Sequence, residues 1–140
     1  WKIQHNRGLL AEEAKHLFLA VNTDLKNLQQ LQYLMAHQAA NANISDLTQQ
    51  LSRTYQDLRS ANLDIYADAL VLSEMSDDER LLKIRSAYHD AGLDLLQHVK
   101  QWVSGQHTPA LADAITTALA HKKHLNHQFK QALRQYIIFK

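Results

Sequence analysis

The chain has 140 residues, 46% of them hydrophobic and 21% charged, which suits one soluble domain with its own core and argues against a disordered or membrane-spanning chain. Three Gly and one Pro are too few for the turns that an all-β domain needs every ~8–12 residues, so the composition predicts an all-α fold. A net charge of +1 with dispersed Lys and Arg leaves no footprint for nucleic acid, and the absence of Cys removes disulfides, thiolate metal sites and covalent haem attachment.

The first helix is predicted from about Leu9 to Ala40, because Leu10, Ala14, Leu17, Val21, Leu25, Leu28, Gln32 and Met35 recur at spacings of three and four. Residues before Gly8 are able to extend it. Asn41-Ala42-Asn43 breaks the pattern, and Asn43 or Ser45 is placed to cap the next helix. That helix, about Ser45 to Leu72, carries Ile44, Leu51, Leu58, Ile65 and Leu72 at seven-residue intervals, the seam of a coiled-coil-like interface.

The next turn is expected at Ser73–Ser76, with Ser76 and Glu79 as a capping box for a third helix from about Asp77 to Val103. Leu81, Ile84, Tyr88, Ala91, Leu95, His98 and Trp102 form its stripe, and Gly92 lies off it as a tolerated residue. Ser104–Thr108 ends the helix, with Gly105 suited to the left-handed position. Thr108 caps, and Pro109 opens, a fourth helix that runs to about Tyr136 with only Lys122 interrupting its apolar stripe. Four helices on short links predict one domain over residues 1–140, an antiparallel up-down-up-down four-helix bundle whose ends emerge together.

Chemistry is sparse. No phosphate loop, nucleophile elbow or zinc-protease helix is present, so no enzymatic activity and no cofactor is assigned. Glu13 and His16 match one Glu-x-x-His copy of a di-iron bundle, but there is no second. His121, His124 and His127 lie beside Lys122 and Lys123 and read as a solvated face rather than a metal site.

Polar residues on apolar stripes are better markers, since a buried charge without a partner costs several kcal/mol. Aligning the helices at the turns near 41–43 and 104–108 puts Asp24, Asn62, Arg85, Lys122 and Asn126 at one depth, at ~1.5 Å per residue. Such a layer either fixes helix register or contacts a small polar ligand. Arg53, His98 and Trp102 form a second candidate group nearer the distal end, where an aromatic wall with an Arg suits a carboxylate and Trp102 equally suits plain core.

Trp1-Lys2 at the start and Tyr136-Ile137-Ile138-Phe139-Lys140 at the end read as juxtamembrane flanks, because aromatic and basic residues favour the membrane interface. With four long helices, short turns and no Cys, the chain resembles the periplasmic four-helix-bundle sensor domains of bacterial transmembrane receptors, the chemoreceptor and sensor histidine kinase class. The resemblance covers the whole chain. It implies signal transduction from the periplasm by an inner-membrane protein, a homodimer, and a small-molecule ligand or periplasmic partner protein. A parallel two-fold dimer is expected to use helix one, through Leu17, Phe18 and Leu25. The competing readings are a soluble helical interaction module without a ligand and a metal- or haem-binding bundle.

Overall fold

The computed structural model describes residues 2–37 and 44–137, with side chains over 7–37 and 46–137. Four helices make up all but the two turns at 77–78 and 104–108: α1 (Lys2–His37), α2 (Ile44–Ser76), α3 (Glu79–Val103) and α4 (Pro109–Ile137). Among the described residues none of the helices is long and apolar enough to cross a membrane. Each helix packs on two neighbours, α1 and α3 both lying between α2 and α4, so the four close into a bundle. Neighbours run antiparallel. Lys123 reaches Gln32 and Lys130 reaches Asn22 between α4 and α1, while Arg80 meets Gln135 between α3 and α4. The predicted fold class is therefore the observed one.

The seven-residue repeat of α2 is the buried seam: Leu51, Leu58, Ile65 and Leu72 are all at most 4% exposed. Burying each leucine contributes about 2 kcal/mol, and this offsets backbone ordering that helix propensity alone does not. The core falls into two clusters. The distal one, toward the 104–108 turn, contains Leu28, Leu31, Leu51, Leu95, Val99, Trp102 and Ile115. The proximal one contains Leu17, Val21, Ile65, Leu72, Leu81, Phe129 and Leu133.

Two boundaries differ from expectation. α1 begins at Lys2 rather than near Leu9. α2 continues through Ser73–Ser76 and stops only at Asp77, because the Ser73 and Ser76 hydroxyls donate back to Ala69 O and Ser73 O and leave the helix intact. Asp77, at φ +53, makes the left-handed stop, and its N–H donates to Ser73 O. The cap of α3 is therefore Asp78, whose carboxylate accepts from Arg80 N at 2.9 Å, and not the expected Ser76–Glu79 box. Tyr136 also donates to Asp78, which pins the end of α4 to this turn. Burial raises the Asp78 carboxyl, but the hydrogen bonds from Tyr136 and Arg80 outweigh it and hold the group below its ordinary value.

The 104–108 turn is as expected: Gly105 has φ +107, and the Thr108 hydroxyl accepts from Leu111 N. The expected turn at Asn41–Ile44 lies outside the described residues, apart from Ile44, which opens α2.

Candidate functional site: a buried polar layer

Between the two apolar clusters, every helix contributes a polar residue to one connected layer. Asp24 of α1 is 1% exposed, Asn62 of α2 is 3%, and Lys122 and Asn126 of α4 are 1% and 0%. Tyr88 of α3 is the hub: its hydroxyl donates to Asp24 Oδ2 and accepts from Asn126 Nδ2 at 2.9 Å. Asn126 Nδ2 also donates to Val21 O at 2.8 Å, which ties α4 to the backbone of α1. Lys122 Nζ donates to Tyr88 O at 2.6 Å and to Asn62 Oδ1 at 2.8 Å, and sits 3.3 Å from the centroid of the Tyr88 ring. One tyrosine thus offers its ring face and carbonyl to the ammonium and its hydroxyl to the carboxylate.

The layer continues outward between α2 and α3. Asn62 Nδ2 lies 3.3 Å from both His89 O and His89 Nδ1, and His89 stacks on Tyr66 with centroids 4.0 Å apart. Arg85 covers the same Tyr66 ring at 3.5 Å and donates from Nε to Tyr66 O.

No protein-family model, curated protein or solved structure matches the chain.

Burial drives the Lys122 ammonium down to about 7, against the opposing attraction of Asp24. Burial likewise raises the Asp24 carboxyl, although Lys122 and the Tyr88 hydroxyl pull the other way. Burial and the Asp24 carboxylate both push the Tyr88 hydroxyl far up, so it remains a donor. Asp24 Oδ1 and Asn126 Oδ1 are buried and accept no hydrogen bond among the described residues, which leaves part of the layer's polarity uncompensated. Burial thus opposes the charge on each of Asp24 and Lys122, while their mutual attraction favours it.

Of the residues singled out from sequence, Asp24, Asn62, Lys122 and Asn126 come together here. Arg85 is at the same depth but on the outer rim, half-buried against Tyr66. The distal group does not assemble. Arg53 is exposed and lines a groove with Gln30 of α1, turned away from α3. His98 lies 3.4 Å from Asp94, and Trp102 is packed in the distal core with its ring 4.5 Å from His107. His121, His124 and His127 are exposed, and among the described residues no group of three His, Asp or Glu is placed to hold a metal.

Two members were missed. The sequence pattern puts Tyr88 on the apolar stripe, yet a buried tyrosine needs a partner for its hydroxyl, and that need is the available signal. Gly92 lies off the apolar stripe of α3 as a tolerated residue in the sequence pattern, whereas in the structure it faces the layer. A Cβ there would stand 2.1 Å from Asn62 Oδ1 and 2.7 Å from Lys122 Nζ, so only glycine leaves room for that hydrogen bond.

Proposed function

We propose that the chain is the periplasmic sensing domain of a bacterial transmembrane signalling receptor, an inner-membrane protein, and that the buried layer is its bistable element. The observation that carries this reading is the Asp24–Tyr88–Lys122–Asn62 connection, which couples all four helices through one charged core site. Such a site adds little net stability to a core, since replacing a buried charge pair by apolar residues is often neutral or stabilising. Packed interfaces shift between discrete arrangements, and stiff helices carry such shifts along their axes. Support also comes from the proximal end, where Arg7 and Leu10 of α1 line a pocket with Gln135 and Tyr136 of α4. The two helices that would continue toward the membrane are thus side by side; Leu17 is 1% exposed in the proximal core and is not available to the expected helix-one dimer, which would have to use other residues of α1.

The test is a hybrid receptor in which this domain drives a kinase with measurable output. Asp24→Asn and Lys122→Met are expected to fix that output high or low, while circular dichroism reports a folded bundle. Normal, switchable output from both variants overturns the reading, as does a reading frame lacking apolar runs of about 20 residues on both sides of the domain. A second reading, a helical interaction module without a small-molecule ligand, is favoured by exposed leucines on α2 and α3.

A further inference from the structure

The outer face shared by α2 and α3 is apolar where solvent should favour polar residues. Leu63 and Leu70 are 54% and 37% exposed, and Leu82 and Leu93 are 43% and 49% exposed. At ~100° per residue, Leu63 and Leu70 fall on one line of α2, and Leu82 and Leu93 on one line of α3. The Tyr66–His89 stack joins the two lines, and a groove of about 410 Å³ opens beside it, bounded by Leu63, Leu93, Arg59 and Lys100, with Asn62 at its edge.

The face is also electrically polar along its length. Arg59 and Lys100 stand at one end, and neither pairs with a carboxylate among the described residues. Exposed Glu74 and Glu79 stand at the other end, where Arg80 is turned to Asp78 and Gln135.

We propose that this face docks an amphipathic helix of a partner protein, with leucines or aromatics on its apolar side, acidic residues over Arg59 and Lys100, and basic residues over Glu74 and Glu79. From Arg59 to Glu74 is ~22 Å along α2, so the matching helix has about 15 residues. The choice of a partner over a second copy rests on the sensor reading. Matching opposite charges between two copies of this face requires them antiparallel, which sends their α1 and α4 ends in opposite directions and cannot occur in one membrane. Docking also has a route inward, because Asn62 borders the groove and holds Lys122.

The probe is a synthetic helix with leucines at heptad spacing, glutamates at one end and lysines at the other, and the control carries lysines at both ends. Anisotropy titration on the 140-residue chain should show saturable binding of the probe and at least tenfold weaker binding of the control. Leu63→Asp with Leu93→Asp should weaken the probe at least tenfold, and Arg59→Glu with Lys100→Glu should reverse the preference for the control. Both pairs are exposed, so unchanged circular dichroism is expected of each. Absence of binding at millimolar probe, or binding indifferent to these variants, overturns the proposal and leaves the sensor reading standing. A concentration-dependent dimer in sedimentation that Leu63→Asp with Leu93→Asp abolishes gives the face to a second copy, and overturns both.

Discussion

The distal cluster and the polar layer both fill the inside of the bundle, but they tolerate change on different terms. Leu28, Leu51, Val99 and Ile115 meet one another through contacts without direction, so any residue of similar volume and hydrophobicity serves nearly as well. Asp24, Tyr88, Lys122 and Asn62 meet through directed bonds, each group satisfying another on a different helix. Removing one member of the layer strands the rest. The apolar cluster specifies that the helices associate, and the layer specifies the register in which they do so.

The sharpest contrast comes from adding one methyl group. Gly92→Ala should destabilise by about 3–5 kcal/mol in urea unfolding, because the new Cβ expels the Asn62 amide and opens the Lys122 site. Helix propensity alone predicts a gain of ~1 kcal/mol from the same change, so the sign decides between the two accounts. Next, Lys122→Ala should cost about 3–5 kcal/mol by leaving Asp24 buried without its counter-charge, whereas Lys122→Met combined with Asp24→Asn should be near neutral or stabilising. Leu51→Ala in the distal cluster should cost about 2–5 kcal/mol and add independently to either. A double-mutant cycle showing no coupling between Asp24 and Lys122 erases the distinction between the regions.

The layer also imprints a pH dependence. With the folded Lys122 near 7 and the unfolded value at 10.5, the unfolded chain holds more protons between those limits, so stability rises with pH across that window. The Asp24 carboxyl is raised above 3.8, so its contribution is present below that value and fades as pH climbs through its folded pKa. Wild type minus the Lys122→Met, Asp24→Asn variant should therefore show a stability minimum toward neutral pH in chemical unfolding. A flat difference curve removes the titrating pair. The smallest effect is expected on the opposite face of α4, where His121→Ala, His124→Ala and His127→Ala together should shift stability by less than about 0.5 kcal/mol each and leave no zinc-dependent rise in Tm.

Sequence alone was a good guide where periodicity was long and caps were strong, as in the α2 seam and the Thr108-Pro109 start. It placed Asp24, Asn62, Lys122 and Asn126 at one level because a polar residue on an apolar stripe is rare and helix rise is fixed. It failed at Tyr88 and Gly92, whose roles depend on what the neighbouring helices bring within reach. It also failed at the α2–α3 turn, where a serine pair that often breaks a helix instead bonded back into it. The Arg53, His98 and Trp102 grouping came from matching depth without azimuth, and Arg53 points around the bundle the other way.

The clamp at the proximal turn has a mechanical consequence. Tyr136 on Asp78 and Arg80 on Gln135 hold α3 and α4 together at one end. Lys122 lies 14 residues from Tyr136, or ~21 Å along α4. Any tilt between the two helices would therefore pivot like a lever on its fulcrum, with little travel at the clamp and increasing travel with distance along α4 toward the ammonium and its tyrosine.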